Sequence, residues 1–527
     1  MENNKYIPTI GLEIHAELRT NSKMFCSCRN NPDEEKPNQN VCPICLAHPG
    51  TLPVLNKEAI KHVIRVGTAI GGTIADFTEW DRKNYFYPDI PKGYQISQYK
   101  YPLVSGGNLA GIELERIHLE EDTAQSTHDS HEKSLVNFNR SGVPLMELVT
   151  KPVIHDAVTA VRFAKELQLL LRYLGAGEAN MEKGEMRVEA NISIASPADT
   201  TKGKFGTKTE VKNLNSFRSV EKAIECELLR QTSLLEAGEV VVQETRGWDD
   251  SAGETYSQRK KESSHDYRYF PEPDIPKLKI SEMPEFSKNV IEKDLPELPW
   301  TKRDRFKNSF GMTDKEVAVF IEQPEVAKYF ESVISTFKGD AKKIKLAVNY
   351  LLTDYLGLLK KVSGTNDSTG TTDSTENVSS NTNTEKNNSA DKKGSIGSDA
   401  KSSGILGPIG SDTFAELIEL IVSGDLSSRG AKDLLILLVG GTDSKSTHVE
   451  AGQLRAFAEK NNLIQKSDLG ALDPVIANII STNPSVIAEY KNGKTASLQF
   501  LIGQAMKATK GSANPEILKK LLIEKIG

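Results

Sequence analysis

The chain has 527 residues, of which 38% are hydrophobic and 26% are charged, an ordinary globular mixture that predicts about three domains. A net charge of −6 excludes a histone-like polycation. The sequence has no run of about 18 apolar residues that could span a membrane.

The N-terminal segment carries no targeting signal that we recognise. It lacks the hydrophobic core of a signal peptide and the arginine-rich, acid-poor character of a transit peptide. Four of the five cysteines fall between positions 26 and 45, whereas an extracellular disulfide framework would spread them along the chain. These features predict a cytoplasmic protein that does not contact membranes.

Two segments, 10–18 and 186–194, alternate strictly between apolar and polar residues. Alternation of this kind predicts β-strands with one buried face. Glu13 and His15 share the polar face of the first strand, and Arg187 lies on the polar face of the second.

Helical patterns lie between the strands. Asp156 can cap a helix that Gly175 ends, and a second helix is predicted over 216–237 before Gly238. Strands and helices that mix without regular βαβ alternation predict an α+β fold with a mixed sheet for residues 1–292.

The rest of the chain is helical in pattern. Amphipathic helices are predicted at 325–337, 342–361, 413–423 and 428–439. We therefore expect an all-α helical domain over 293–447 and a small helical tail domain over 448–527. Residues 363–404 contain four apolar residues and no aromatic one, which predicts a disordered insertion.

The last 43 residues are basic. Residues 485–527 hold seven lysines and three glutamates, a net charge of 7 − 3 = +4. A basic helical tail on an acidic protein favours nucleic-acid binding, and a solvated helical face explains the lysines equally well.

Four cysteines form two close pairs. Cys26 and Cys28 are followed by Cys42 and Cys45 after thirteen intervening residues. Two short loops that each offer two sulfurs suit tetrahedral zinc, and a complete four-thiolate set predicts a structural ion. The alternative is a set of incidental thiols in a reducing compartment.

Carboxylates accumulate on the predicted strands. Glu13 and His15 lie two residues apart, Glu121 closes a second strand, and Glu147 follows a turn bounded by glycine and proline. Glu121 lies two and four residues after the apolar Leu119 and Ile117, so its side chain should point to the same, buried side of the strand. A buried carboxylate must be paired or bound to a cation. Oxygen ligands with one imidazole suit Mg²⁺ or Mn²⁺ carrying nucleotide phosphates. A solvated sheet face is the alternative.

Four cationic residues are candidates for contacts with nucleotide phosphates: Arg187, Lys208, Lys212 and Arg268. A surface salt-bridge patch would explain the same residues. The sequence has no P-loop, no G-x-G-x-x-G after a strand and no G-x-S-x-G elbow. Any use of ATP would therefore rely on a different site.

Nine segments resemble one protein family, the B subunit of the glutamyl/aspartyl-tRNA amidotransferase. They are IGLEIHAEL (10–18), DRKNYFYPD (81–89), PKGYQISQ (91–98), HLEED (118–122), NRSGVPLME (139–147), MRVEANIS (186–193), KNLNS (212–216), DYRYFPEPD (266–274) and FLIGQAMKATKGSANP (500–515). The resemblance covers most of the chain outside 363–404. It implies a cradle-shaped catalytic domain, then helical and tail domains that hold tRNA.

The resemblance also implies an activity. The family is a ligase that works as a heterotrimer with an amidase (A) subunit and a small (C) subunit. The amidase releases ammonia from glutamine, and a tunnel carries it to the B subunit. There ATP and Mg²⁺ phosphorylate the side-chain carboxylate of Glu on tRNA(Gln) or Asp on tRNA(Asn), and ammonia displaces the phosphate.

Six residues match family site positions. The resemblance implies a magnesium site at Glu13, His15, Glu121 and Glu147, and places Lys83 and Lys92 near the end of the ammonia tunnel. The zinc cysteines occur in only some members, which agrees with a structural role.

The chain departs from the family pattern at Lys151. Members usually have Ser-Glu-Pro-Asp where this chain has Thr-Lys-Pro-Val at 150–153. A cation that replaces an anion beside the proposed metal site favours a rival interpretation, a zinc-containing tRNA-binding adaptor without catalysis. A third interpretation, a free-standing metal-dependent hydrolase, predicts turnover by the chain alone, and the missing nucleophile motifs argue against it.

Overall fold

The computed structural model describes residues 5–128, 133–260, 267–362, 406–440, 448–465, 469–509 and 513–527. The chain divides into two compact units, Met1–Thr301 and Lys302–Gly527. The boundary predicted after residue 292 precedes this division by nine residues, and the boundary after 447 stays a prediction. The predicted insertion at 363–404 lies outside the described residues. In the described ranges, no helix is long and apolar enough to cross a membrane.

The first unit is built on a large sheet. Its strands, β1 to β17 in chain order, are Ile7–Glu17, Thr73–Ile74, Phe77–Thr78, Asp81–Asn84, Tyr94–Ser97, Val104–Ser105, Asn108–Leu109, Ile112–Glu121, Gln125–His128, Ser134–Asn137, Pro144–Thr150, Met186–Ala195, Thr209–Leu214, Glu244–Asp249, Glu254–Lys260, Phe270–Pro271 and Leu278–Lys279. Ten form one sheet in the order β15-β14-β13-β12-β1-β11-β8-β6-β2, with β7 beside β8. The pairing of β13 with β14 is parallel and the other pairings in this sheet are antiparallel. The fold is therefore α+β with a mixed sheet, as the sequence predicts.

Helices occur in both units. The helices α1 to α17 are Lys57–Ala69, Ala157–Tyr173, Pro197–Thr200, Phe217–Glu236, Lys288–Asp294, Pro299–Phe310, Asp314–Glu322, Pro324–Ser335, Ala341–Asn349, Leu356–Val362, Ser411–Val422, Ser428–Val439, Leu454–Lys460, Leu469–Thr482, Pro484–Lys491, Ala496–Ala508 and Pro515–Ile526. A π-helical turn, Tyr350–Tyr355, joins α9 to α10, so the predicted helix 342–361 is interrupted.

The ends of α2 and α4 follow from local chemistry. The side chain of Asp156 accepts a hydrogen bond from the Thr159 backbone at 2.7 Å, and Ser216 caps α4 in the same way. Gly175 follows α2 with φ +63°, a left-handed conformation that glycine adopts without steric cost. The two helices predicted from sequence are confirmed.

One face of the large sheet is buried beneath α1, α2 and α4. Apolar residues of β1 and β12, including Leu12, Ile14 and Val188, join Leu167 and Leu171 of α2 in one core cluster. Burial alternates along β1 and β12, as the sequence predicts. Because successive side chains on a strand point to opposite faces, the polar residues of these strands share the other face.

The second unit is helical in its described residues. Its last four helices, α14 to α17, have a core of their own, which includes Ile476, Leu501 and Leu522. By contrast, α13 packs against α11, and the Val449 backbone oxygen accepts a hydrogen bond from Thr413. Residues 448–460 therefore pack with the helical domain, whereas the independent tail core begins with α14.

Candidate functional site

Strand register gathers polar residues on the open face of the large sheet. His15 on β1 lies opposite Glu147 on β11 and Arg187 on β12. Glu147 in turn lies opposite His118 on β8. Directly paired residues on one face have Cβ atoms about 5 Å apart, so four adjacent strands deliver their polar side chains to one place.

Glu147 is the centre of this cluster. Its carboxylate lies 3.4 Å from His15 Nε2 and 3.3 Å from His118 Nε2. Burial alone would raise the pKa of Glu147, but the charge of His118 and hydrogen bonds from His118 and His15 hold that pKa well below its usual range. Burial would likewise lower the pKa of His15, and Glu147 and Glu120 raise it to about 9. The carboxylate is thus ionised between two imidazoles.

Glu120 belongs to the same cluster. Its carboxylate lies 3.6 Å from His15 Nε2 and accepts a hydrogen bond from Ser97 Oγ at 2.9 Å. The His118 Nε2 atom is 4.0 Å away. Glu120 therefore lies on the same polar face as Glu147, and its hydrogen bond from Ser97 links this face to β5.

A third group of carboxylates continues the cluster across β12 and β13. Glu13, Glu189 and Glu210 bring one oxygen each within 4.8 Å of one another. Burial, together with the charges of Glu147 and Glu189, raises the pKa of Glu13 to about 6. Lys212 Nζ offsets part of this charge, at 2.8 Å from Glu189 and 3.9 Å from Glu210.

The donor set fits a hard divalent cation. Glu13, His15 and Glu147 offer two carboxylates and an imidazole within 4.8 Å, and His118, Glu120 and Glu147 form a second such group. Oxygen-rich sites with one imidazole suit Mg²⁺ or Mn²⁺.

Glu121, which the resemblance groups with Glu13, His15 and Glu147, has other contact partners in the structure. Its carboxylate is 2.7 Å from Lys92 Nζ and accepts a hydrogen bond from the Ile96 backbone at 3.0 Å. The physical reason is strand parity, because residues 120 and 121 of β8 point to opposite faces. Glu121 is buried and paired, as its parity predicts.

Lys83 on β4 interacts electrostatically with the cluster. Burial would lower its pKa, but the charges of Glu120 and Glu147 and the nearby Tyr269 hydroxyl raise it above its usual range. The Lys83 ammonium also lies 5.2 Å from the centre of the Tyr267 ring. Of the two predicted tunnel lysines, Lys83 therefore interacts with the acidic cluster and Lys92 pairs with Glu121.

The predicted phosphate contacts separate into two groups. Arg187 and Lys212 lie on the polar face, where Arg187 Nη2 donates to Asp122 at 2.7 Å and Lys212 pairs with Glu189. Lys208 precedes β13 and is exposed, and Arg268 is exposed next to β16. The structure brings Arg187 and Lys212 to the carboxylate cluster, and places Lys208 and Arg268 at the surface.

Lys151 lies outside the carboxylate cluster, four residues or about 13 Å beyond Glu147 along the extended chain. Its ammonium is 2.8 Å from Glu113, and both side chains are largely exposed. Glu113 precedes His118, the nearest cluster residue on β8, by five residues, about 17 Å along a strand. The feature that favoured the adaptor interpretation therefore lies outside the cluster.

Reversing the charge of Lys151 provides a direct test of this placement. We expect Lys151→Glu to change the affinity for Mg²⁺ by less than about twofold, since exposed ion pairs contribute little. Calorimetric titration with Mg²⁺ measures the effect. A larger change in Mg²⁺ affinity would return Lys151 to the site.

The four cysteines converge on one point. Cys45 Sγ lies 3.4 Å from Cys26 Sγ and 3.7 Å from the sulfurs of Cys42 and Cys28. A tetrahedron with 2.3 Å zinc–sulfur bonds has edges of about 3.8 Å, so the spacing fits a four-thiolate metal site. The hydrogen bond from Cys26, with the ammonium of Lys23, lowers the pKa of Cys45 to about 5.

Sequence reasoning missed His118 and Glu120 as members of the cluster. The alternation of residues 117–120 could have found them, because His118 and Glu120 alternate with the apolar Ile117 and Leu119 and so lie on the polar face of the strand. The register between β8 and β11, which sets His118 against Glu147, could not be read from sequence.

Comparisons with known proteins agree over the whole chain. The family described as the GatB/GatE catalytic domain matches residues 8–284, and the one described as the GatB domain matches residues 328–526. The chain is 38% identical to a protein of Caldanaerobacter subterraneus over 530 aligned positions that cover 99% of both chains. It is also 38% identical to proteins of Thermodesulfovibrio yellowstonii, with 99% of both chains covered, and Crocosphaera subtropica, with 98% of this chain and 97% of the relative covered. All three relatives are named as the B subunit of an aspartyl/glutamyl-tRNA(Asn/Gln) amidotransferase.

Proposed function

The chain belongs to the GatB/GatE family, and on that premise we propose that it is the component of a tRNA-dependent amidotransferase that activates the misacylated residue. It uses ATP to phosphorylate the side-chain carboxylate of Glu on tRNA(Gln), Asp on tRNA(Asn), or both. Ammonia then attacks the acyl phosphate, phosphate leaves, and the amide forms. The enzyme is a ligase that takes its nitrogen from glutamine.

The observation that carries this proposal is the polar sheet face around Glu147. Carboxylates and imidazoles from β1, β8 and β11 form two groups that share Glu147, and the ligand atoms of each group lie within 4.8 Å of one another. Lys83, Arg187 and Lys212 supply cations around them. Phosphoryl transfer depends on positioning and charge neutralisation rather than on a protein nucleophile. An acidic cluster ringed by cations meets that requirement without a P-loop.

We assign the magnesium ligands to Glu13, His15, Glu147 and Glu120. This set replaces Glu121 of the family-based prediction by its neighbour, because Glu120 shares the face of His15 and Glu147. A bound Mg²⁺ would neutralise charge on the transferring phosphoryl group. Around it, Arg187 and Lys212 are placed to hold phosphate oxygens, and His118 orients Glu147 through its 3.3 Å contact.

Lys92 and Glu121 form the proposed receiving point for ammonia. The two are paired at 2.7 Å and mostly buried, close to the end of β8 that carries Glu120. Glu121 directly follows Glu120 of the acidic cluster along β8, but its side chain points to the opposite face of the strand. This assignment gives Glu121 a role in ammonia delivery and not in metal binding.

The partners are proposed on the family's composition. The B-subunit name of the relatives implies a multi-subunit enzyme that acts on tRNA. We propose a heterotrimer in which an amidase (A) subunit releases ammonia from glutamine and a small (C) subunit completes the complex. Four clustered cysteines without disulfides favour a reducing compartment, so we propose that the complex works in the cytoplasm.

We further propose that Cys26, Cys28, Cys42 and Cys45 bind one structural zinc ion. The sulfur spacing matches a zinc tetrahedron and exceeds the 2.05 Å of a disulfide bond. Four protein ligands leave no open position on the ion. The zinc therefore serves the fold of residues 26–45 and does not take part in the reaction.

Reconstitution tests the proposed reaction. The complex of this chain with the amidase and the small third component is given Glu-tRNA(Gln) and Asp-tRNA(Asn) in separate assays with ATP, Mg²⁺ and glutamine. Amide formation on at least one of them is expected to require all three additions. Retention of glutaminase activity with no amide on either tRNA would favour the adaptor interpretation.

The tail provides a prediction about tRNA binding. Lys491, Lys507 and Lys520 are exposed on α15, α16 and α17, and these helices share a separate core. Removal of residues 469–527 should raise the KM for tRNA about tenfold or more, because contacts between lysines and phosphates are lost. It should leave glutaminase activity unchanged.

The salt dependence provides the control for that prediction. Tail lysines that meet phosphates make tRNA binding by the full chain fall steeply as salt rises, and the truncated chain should show a shallower slope. Equal affinity and equal slope for both proteins would place the tRNA site elsewhere.

A further inference from the structure

A buried lysine touches the cysteine cluster. Lys23 is 0% exposed, although its ammonium is among the groups that cost most to remove from water. The Nζ atom donates to the backbone oxygens of Asn40 at 2.7 Å and Phe138 at 3.1 Å, and lies 3.8 Å from Cys45 Sγ. An ammonium has three N–H donors, so the three contacts account for all of them.

The charge balance of the metal site explains why an ammonium is buried there. Four thiolates around Zn²⁺ carry a net charge of −2. Buried charges in proteins are paired or coordinate metals, and Lys23 is the cation that the described structure sets against Cys45, the one buried cysteine of the four. One ammonium at this position halves the net charge of the site.

The contacts of Lys23 also join separate segments. Asn40 precedes the second cysteine pair, and Phe138 lies before β11, the strand that carries Glu147. Asn139 strengthens the same junction, since its side chain accepts from the Asn40 backbone at 2.9 Å and donates to the Lys36 backbone oxygen at 2.8 Å. The ammonium is therefore held in place by groups outside the cysteine cluster.

We propose that Lys23 is the built-in counter-charge of the four-cysteine site, and that its hydrogen bond to Cys45 sets the affinity for zinc. The inference rests on the zinc site proposed above. Lys23 is a positioning residue, because it acts on the ion through Cys45 and does not ligate it. Partners of this kind beyond the ligands themselves typically change metal affinity by about 10–100-fold.

The test compares Lys23→Met with wild type in the full-length chain. Methionine approximates the length and volume of the lysine stem and removes the charge and the donors. Zinc affinity, measured by competition with a chromogenic chelator, should fall about 10- to 100-fold. Lys36→Met, a change of the same kind at an exposed lysine between the two cysteine pairs, should stay within about twofold of wild type.

A spectroscopic readout separates a contact with the thiolate from a general loss of stability. In the cobalt-substituted protein, loss of a hydrogen bond to Cys45 should move the thiolate-to-Co²⁺ charge-transfer band to longer wavelength in Lys23→Met and not in Lys36→Met. Lys23→Arg keeps the charge and should recover most of the zinc affinity.

Each outcome decides the inference. If the wild-type protein binds no zinc, the proposed zinc site is itself wrong. If the wild-type protein binds zinc, and Lys23→Met folds and has the same zinc affinity and cobalt spectrum, only the proposed role of Lys23 is overturned. If neither Lys23 variant folds at saturating zinc, Lys23 serves the fold and not the metal, and the inference is again overturned.

Discussion

Replacing Glu147 with glutamine is expected to lower ATP-dependent transamidation by about 100-fold or more while glutaminase activity persists. Glutamine keeps the size of the side chain and removes the charge that faces His15 and His118. Loss of one preorganised electrostatic contact in an active site typically costs about 100- to 1000-fold in rate. Glutamine hydrolysis is assigned to the separate amidase, so the two half-reactions should come apart.

Glu120 and Glu121 provide the matched comparison, since they are adjacent glutamates of similar burial. Glu120→Gln should raise the Mg²⁺ concentration needed for half-maximal activity, because Glu120 lies beside His15. Glu121→Gln should leave that concentration unchanged and instead impair use of glutamine, because Glu121 pairs with Lys92. Titration of Mg²⁺ with glutamine or with ammonium chloride as donor measures both effects. A Mg²⁺ shift in Glu121→Gln alone would restore the family-based ligand set.

Replacing Cys45 with serine is expected to remove the zinc and to lower the free energy of unfolding by about 3–5 kcal/mol, which is among the largest effects of single substitutions. Cys45 is the buried member of the four, and its sulfur lies within 3.7 Å of each of the other three. Elemental analysis and denaturant unfolding of the reduced protein measure the two effects.

Cys226 provides the control for that substitution. It lies on α4, half-buried, outside the cluster of four. Cys226→Ser should keep one zinc ion per chain and should cost less stability than Cys45→Ser, because no metal ligand is lost. A purified, reduced wild-type protein without zinc would end the zinc assignment.

The periodic parts of the fold were predictable. The strict alternation in 10–18 and 186–194 is confirmed as β1 and β12, because one face of each strand is buried beneath helices. Helix ends at Asp156 and Gly175 were also predictable, since capping depends on residues close in sequence. These patterns depend only on residues close together in sequence, and the structure agrees with them.

The site was predictable only in part, because it depends on how strands pair. Glu13 and His15 share a strand face, so their proximity follows from sequence. Placement of Glu147 opposite His15 depends on the register of β1 and β11, which sequence does not specify. The position of Glu120 beside His118 on one strand face follows from sequence, whereas its 3.6 Å contact with His15 depends on strand pairing.

Lys151 shows that closeness in sequence does not predict closeness in the site. Nearness in sequence to Glu147 suggested a cation beside the metal site. Four residues along an extended strand span about 13 Å, and the side chain of Lys151 turns to Glu113 on the neighbouring strand. Distance along the chain was therefore a poor guide to distance in the site.

The most direct test of the central claim follows one oxygen atom. The reconstituted complex is given misacylated tRNA whose side-chain carboxylate carries ¹⁸O, with unlabelled ATP, Mg²⁺ and glutamine. If the carboxylate attacks the γ-phosphorus and ammonia later breaks the carbon–oxygen bond, one carboxylate oxygen leaves with the phosphate. We predict one ¹⁸O in the released phosphate for each amide formed, and release of labelled phosphate about 100-fold slower or more in the Glu147→Gln complex. Amide formation with unlabelled phosphate would contradict activation of the carboxylate by this chain.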